Sequence, residues 1–327
     1  MSKPKTFTRL LKNLSADIVD KLGEKVVGII VFGSTVENRV DVESDIDIVV
    51  VYNNTIPGYE ENVIDGRKVE ILYYPISRLK RVFSKSIRNR DDTWYRTCFW
   101  LNVFRNGRIL YDPNGILGEY RLKALKWKWT KKEIEHVYNR ILENLEIAKE
   151  NASLSIFNAV LSVRDTANLL VVYNMLKKNQ VPSYRPKEIY SQLEIVDNGF
   201  REIFEKVMGL NNLNVKRLTE VLQLVERIYC KQRYWSHKVR RAYNEVFKSL
   251  NRGNTKLAVL SARHFALLAV NEYLERTAEP MKIKYFYTKS HLKVLERLRK
   301  IDSQLYNNYV RLHQLTPLTE PEIEAYV

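Results

Sequence analysis

The chain of 327 residues contains little cysteine and no long apolar run. Two cysteines, Cys98 and Cys230, are too few for a disulfide framework or a cysteine-based zinc site. No apolar stretch approaches the roughly 18 residues that a membrane-spanning helix needs. The opening residues 1–7 lack the apolar core of a signal peptide. These absences exclude the disulfide-stabilised and membrane-spanning classes and predict a reducing, cytoplasmic setting.

Acidic residues are scarce in the second part of the chain. Residues 1–120 hold 18 Lys and Arg against 16 Asp and Glu, whereas residues 121–327 hold 36 against 22. Nearly all of the formal net charge of +16 therefore lies after residue 120. Such a basic region favours a polyanionic partner such as RNA. The alternative is a solvated, lysine-rich surface of the kind found in thermophilic proteins.

Two apolar runs near the start of the chain frame the residues best suited to chemistry. Val26–Phe32 and Ile46–Tyr52 are rich in β-branched residues, which predicts two buried strands. Asp45 directly precedes the second run, and Asp47 is its second residue. Because alternate residues of a strand point to the same face, we expect these two carboxylates to lie side by side. They would repel each other unless a cation lay between them.

Mg²⁺ is the natural cation for such a pair, because it is usually held by one or two carboxylates together with substrate phosphates. The first run ends at Gly33 and Ser34, whose small size would let a phosphate approach the backbone closely.

A hairpin signal follows over residues 62–74, with Asp65-Gly66 as its two-residue turn. Alternation along its second strand puts Lys68 and Glu70 on one face, with Val69 and Ile71 on the other. A lone strand glutamate usually faces solvent. Here a neighbouring carboxylate pair would need further oxygen ligands, so we predict that Glu70 is a metal ligand.

The rest of the chain has a helical pattern, and parts of it recur. The segment 137–140 recurs at 242–245, and the segment 159–165 recurs at 258–264. A period this long indicates duplicated domains rather than a solenoid. We therefore predict an α+β domain over residues 1–118, a helical-bundle repeat over 119–228 and a second repeat over 229–327.

A segment of interleaved cations and aromatic rings precedes each repeat. Cations beside flat rings suit phosphate contacts and base stacking. In the alternative, the tryptophans pack the helices together while the cations extend into solvent. The candidate nucleic-acid contacts are Lys126, Trp127, Lys128, Lys131, Arg233, Trp235, Lys238, Arg240 and Arg241.

The N-terminal motif resembles that of the DNA polymerase β superfamily of nucleotidyltransferases, including the minimal and kanamycin-nucleotidyltransferase types. The hallmark is Gly-Ser, about ten residues, an acid–apolar–acid triplet and a third acid on a later strand. Gly33, Ser34, Asp45 and Asp47 match it, and Glu70 falls where the third acid is expected.

The resemblance implies a small mixed sheet with helices, and transfer of a nucleotide from an NTP, with ATP favoured, to a hydroxyl group. Asp45, Asp47 and Glu70 would be the catalytic residues and would bind two Mg²⁺ ions. Ser34 and the backbone at Gly33 would hold the nucleotide phosphates. The segment after Ser34 departs from the family pattern, but Arg39 could still reach a phosphate.

The helical half resembles the HEPN-type bundles that accompany these domains. The segments around Ser162 and Arg164, and around Ser261 and Arg263, carry this resemblance. HEPN ribonucleases have four to six residues between an arginine and a histidine on one helix. Neither Arg263-His264 nor Arg311-x-His313 has this spacing, which argues against a ribonuclease. We expect Arg164 and Arg263 to pack between helices with exposed heads.

Three acceptors for the nucleotide remain open. RNA such as a tRNA end suits the basic half, whereas an aminoglycoside-type small molecule suits the kanamycin-enzyme likeness but not the charge. A protein hydroxyl is the third. Alternatively, the protein binds nucleotide or RNA without catalysing a reaction. The intact Asp45 and Asp47 argue against this alternative. The oligomeric state stays open.

Overall fold

The computed structural model describes residues 4–33, 36, 45–54, 58–211, 213–277, 283–315 and 318–326. The chain forms two compact units, Met1–Glu133 and Ile134–Val327. The first unit thus extends beyond residue 118, the boundary expected from the sequence. The division of the helical part into repeats over 119–228 and 229–327 stays a prediction.

The first unit is built on a mixed five-stranded sheet with strand order β3-β4-β2-β1-β5. Within it β2 and β4 are parallel, whereas β1 is antiparallel to both β2 and β5, and β3 is antiparallel to β4. This confirms the predicted α+β class, a small mixed sheet with helices followed by an all-helical region. The strands are β1 (Val26–Phe32), β2 (Ile46–Tyr52), β3 (Gly58–Ile64), β4 (Arg67–Pro75) and β5 (Arg108–Tyr111).

Helices cover both faces of this sheet. Helix α1 (Pro4–Leu22) packs Leu14 and Ile18 against one face, where Val69 and Ile71 of β4 are buried. The opposite face contacts helix α4 (Thr93–Asn106), since the rings of Tyr74 and Trp100 lie 4.4 Å apart. Both faces of β2 are covered, which explains why all of its residues are buried.

Three shorter helices complete the first unit. The segment 76–88 forms two helices, because the chain turns at residues 83 and 84. These helices are α2 (Ile76–Val82), α3 (Lys85–Arg88) and α5 (Ile116–Leu125).

The described part of the second unit is helical. Its first helix, α6, begins just before the unit boundary. The helices are α6 (Lys131–Asn151), α7 (Ile156–Lys177), α8 (Pro186–Val196), α9 (Asn198–Val207), α10 (Val215–Tyr229), α11 (His237–Asn251), α12 (Thr255–Arg276), α13 (Thr288–Ile301), α14 (Ser303–Gln314) and α15 (Glu320–Glu324). Among the described residues, no helix combines the length and hydropathy needed to cross a membrane.

Helices α7 and α12 contain the recurring segment and resemble each other closely. Each has 22 residues, and each begins with a side-chain cap, from Ser155 and Asn254 respectively. Arg164 and Arg263 occupy the ninth position of their helices. Both arginines are buried, at 3% and 7% exposure, so the expectation of exposed heads was wrong. Their guanidinium groups donate to backbone carbonyls inside the unit instead of reaching solvent.

The close approach of α5 to the sheet depends on Gly28 in β1. A Cβ atom there would lie 2.3 Å from Leu117 Cδ1 and 2.9 Å from the carbonyl oxygen of Tyr111. We therefore expect Gly28→Ala to lower the free energy of unfolding by about 1–3 kcal/mol through overpacking, measured by urea denaturation.

Gly118→Ala is the matched control. Gly118 lies inside α5, and an added Cβ would meet only Asp112 Oδ2, at 3.5 Å. Alanine in a helix is favoured over glycine by roughly 0.5–1 kcal/mol, so this variant should be as stable as the parent or more so. Equal stability of the two variants would contradict the packing argument.

Candidate active site

The candidate site lies on the face of the sheet that α4 covers. In the parallel pairing of β2 with β4, Asp47 is the register partner of Glu70. Neighbouring strands are about 4.8 Å apart, and register partners project to the same face, so the two carboxylates are neighbours. Both residues are buried, with exposures of 8% and 6%. The solvent-facing alternative for Glu70 is therefore excluded.

Gly33 bounds the site on the side of β1. Its φ of +80° lies in the left-handed region, where glycine is favoured. A Cβ atom at this position would lie 2.5 Å from Asp47 Oδ2, so the carboxylate of Asp47 rests directly against the backbone of Gly33. Glycine is thus needed here both for the backbone conformation and for the space beside Asp47.

Lys68 is a site residue that the sequence reasoning did not single out. Its Nζ lies 2.7 Å from Glu70 Oε1 and 3.3 Å from Glu61 Oε2. Glu61 is the register partner of Glu70 on β3, so this cation bridges two carboxylates that would otherwise repel each other. The signal was present in the sequence, since alternation already put Lys68 on the face of Glu70.

The charges around Lys68 set its protonation. Partial burial acts to lower the pKa of the Lys68 ammonium, but hydrogen bonds and charges from Glu70 and Glu61 outweigh it and raise the pKa. Lys68 is therefore a cation at neutral pH, and it supplies a positive charge to the carboxylate row of Asp47, Glu70 and Glu61.

The other predicted site residues lie at the start of β2 or in the preceding segment. Asp45 directly precedes β2 and is half-buried. Ser34 and Arg39 lie outside the described residues, so their predicted roles in nucleotide binding stay predictions.

The buried acidic pair can be tested as a site for Mg²⁺. In the described part of the chain, no three Asp, Glu, His or Cys side chains are grouped closely enough to hold a metal ion. Mg²⁺ does not require such a group, because it usually binds one or two carboxylates plus substrate phosphates. Asp47 and Glu70 supply two adjacent buried carboxylates, so the residues fit a metal that binds together with a nucleotide.

The structure buries the tryptophans of the basic-aromatic segments. Trp127 and Trp235 are 7% and 6% exposed. Trp127 packs 5.9 Å from the ring of Phe83, and Trp235 donates to the carbonyl oxygen of Tyr229 at 2.7 Å. The tryptophan rings therefore pack inside the protein, as in the alternative to base stacking. The predicted cationic contacts are exposed or half-exposed; they are Lys126, Lys128, Lys131, Arg233, Lys238, Arg240 and Arg241.

Comparison with known proteins agrees with the geometry of the first unit. The family model described as "Nucleotidyltransferase domain" matches residues 11–92, a range that contains the acidic pair and Gly33. No curated protein matches the chain in sequence. Among solved structures, the chain is similar to a nucleotidyltransferase-like protein from Exiguobacterium sibiricum, with 11% identity and a TM-score of 0.41. That similarity is distant, although it covers 89% of this chain and 91% of the other. Residues 11–92 therefore form a nucleotidyltransferase domain of the DNA polymerase β-like type, which a helical region follows.

Proposed function

We propose that this protein is a Mg²⁺-dependent enzyme that transfers a nucleotidyl group from an NTP to a hydroxyl group. One observation carries the proposal. Within a nucleotidyltransferase domain, the β2–β4 register brings Asp47 beside Glu70, against the backbone of Gly33. In the reaction, the acceptor oxygen forms a bond to the α-phosphorus, the bond from that phosphorus to the β-phosphate oxygen breaks, and pyrophosphate leaves. The acceptor hydroxyl loses its proton.

Asp47 and Glu70 would hold Mg²⁺, and Asp45 would be a further ligand. Two Mg²⁺ ions would bind in all. Bound Mg²⁺ lowers the pKa of the attacking hydroxyl and offsets charge on the transferring phosphorus. Glycine at position 33 keeps the backbone beside Asp47 open to a phosphate. Ser34 and Arg39 complete the proposed nucleotide contacts.

Lys68 has a distinct part in this scheme. A buried carboxylate destabilises the fold unless a cation balances it. Lys68 pairs with the buried Glu70 and also with the exposed Glu61. With a metal at Glu70, the Lys68 ammonium would be available to a phosphate oxygen of the nucleotide. The same cation would then stabilise the protein before substrate binds and offset phosphate charge afterwards.

We propose RNA as the acceptor, held by the basic, HEPN-like helical region. The support is the excess of 36 Lys and Arg over 22 Asp and Glu after residue 120, together with the exposure of the candidate cationic contacts. A cationic aminoglycoside would be repelled by such a region.

Incubation with each α-labelled NTP, Mg²⁺ and either cellular RNA or a metabolite extract tests the activity. We expect labelled RNA, with ATP as the best donor. Titration calorimetry with ATP and Mg²⁺ separates the enzyme from a non-catalytic protein. Absence of nucleotide binding would overturn the proposal, and a labelled small molecule would overturn the choice of RNA.

Asp47→Asn and Glu70→Gln should each lower the transfer rate at least a hundredfold, which corresponds to about 2.7 kcal/mol in the barrier. Each change removes a carboxylate charge that the metal needs. Single-turnover rates with labelled ATP measure the loss. Glu61→Gln, on the same row but at the edge strand, is the control and should retain activity within about tenfold. Near-parent rates for Asp47→Asn would contradict the metal assignment.

Gly33→Ala should lower the transfer rate at least tenfold, because the added methyl group would displace the carboxylate of Asp47. Gly66→Ala is a matched control. Gly66 also has a positive φ, +74°, but an added Cβ would meet nothing within 4 Å. Both variants carry similar backbone strain, so thermal unfolding should shift alike in the two. An equal loss of activity in both would show that strain, and not the contact with Asp47, is responsible.

RNA binding should weaken steeply as salt rises, because phosphate contacts release counterions. Changing Lys126, Lys128 and Lys131 together to Gln should weaken binding further. It should also reduce the slope of log affinity against log salt by roughly one for each lysine that contacts a phosphate. Electrophoretic mobility shifts at several salt concentrations provide the measurement.

A control variant removes the same charge elsewhere. Lys187, Lys216 and Lys293 are exposed, and changing these three to Gln should leave the salt slope close to that of the parent. A flat salt response in the parent protein would contradict RNA as the partner.

A further inference from the structure

The helical unit contains a cavity with a volume of about 80 Å³. Much of its wall is apolar, including Leu161, Leu260 and Phe204. Several buried polar side chains interrupt this wall, among them Arg164, Arg263 and His313. Buried polar groups of this kind need an explanation, because burying them without compensation destabilises a fold.

The two arginines reach the cavity from corresponding positions of α7 and α12. Arg164 Nε donates to the carbonyl oxygen of Val207 at 3.2 Å, and Arg263 donates from Nη1 to the carbonyl oxygen of Met208 at 2.8 Å. These two carbonyls lie at the C-terminal end of α9, where the helix dipole is negative. The guanidinium groups therefore converge on one point of the wall and are held there by backbone acceptors.

The wall of the cavity carries a positive potential. Among its described lining residues, Asp165 is the sole carboxylate beside two arginines. Asp165 accepts from Thr288 Oγ1 at 3.1 Å and lies 3.4 Å from Nδ1 of His291. The pKa of Arg263 is lowered to about 10, chiefly by burial. Burial and then the charges of Arg263 and Arg164 lower the pKa of His313 well below its ordinary value.

His313 is the second and independent indication of a ligand. The residue is 6% exposed, and both of its ring nitrogens are buried without a hydrogen-bond partner. Its ring lies 4.8 Å from the ring of Tyr309, so packing fixes its position on the wall. Nearly all buried polar atoms in native proteins have a partner, and a bound molecule in the cavity would supply one.

Part of the wall is aromatic. The rings of Tyr184 and Tyr285 stack at 4.4 Å, and His264 lies 6.1 Å from Tyr285 with nearly parallel planes. Flat, apolar surfaces of this kind favour a planar ring over an extended aliphatic chain. The cavity thus combines two arginines with flat aromatic rings.

We propose that this cavity is a binding site for a small aromatic anion, whose phosphate or carboxylate group lies at Arg164, Arg263 and His313. The arginines supply charge-assisted hydrogen bonds to the anion, which suit the planar guanidinium group. The neutral ring of His313 supplies one further donor. The site is separate from nucleotidyl transfer and belongs to the helical unit alone.

Titration calorimetry on the full chain, with phenyl phosphate and benzoate as probes, tests the proposal. We expect binding of at least one probe, and the tighter one identifies the anionic group. Benzyl alcohol is the uncharged control and should bind at least tenfold more weakly. Equal binding of benzyl alcohol would overturn the anionic assignment, and absence of heat with both anions at millimolar concentration would overturn the site.

His313→Phe is the decisive variant. It keeps the shape of the ring and removes two buried nitrogens without a partner, so it should leave thermal stability unchanged or raised. It should nevertheless weaken anion binding at least tenfold. His136→Phe is the matched control, because His136 Nε2 is also buried without a partner but His136 does not line the cavity. Binding unaffected by His313→Phe would place the anion elsewhere and contradict the proposal.

Discussion

The structure of the first unit depends on one pairing, the parallel register of β2 with β4. This register sets Asp47 beside Glu70 in a buried position. Two adjacent carboxylates cannot remain there without positive charge nearby. Lys68 provides that charge through Glu70 in the structure, and in the proposed reaction Mg²⁺ provides it. A feature that would destabilise an ordinary sheet thus becomes a place where a cation is favoured.

The helical unit also contains buried charged side chains, but there they are cations. Arg164 and Arg263 are buried, and backbone carbonyls accept hydrogen bonds from both guanidinium groups. His313 is buried beside them with two nitrogens that lack a partner. Each unit therefore contains buried charged side chains at the site where we propose that a ligand of complementary charge binds.

The sequence predicted the strands of the site well, because their residues strongly favour a strand over a helix. β1 and β2 begin and end at the expected residues, since uninterrupted β-branched runs favour strands buried on both faces. Alternation correctly put Lys68 and Glu70 opposite Val69. The same reasoning left the environment of the tryptophans at 127 and 235 open, because that environment depends on side chains distant in sequence.

The two buried strands and the carboxylates at their ends could be predicted from the sequence, because they follow from local periodicity and spacing. The mixed sheet was implied by the family resemblance. The tertiary structure alone decided which strand lies next to β2, and therefore that Glu70 is the buried neighbour of Asp47 and is bridged by Lys68. It also decided that Arg164 and Arg263 face inward onto one helix end. Such facts depend on contacts between distant segments, and periodicity along the chain carries no information about which segments meet.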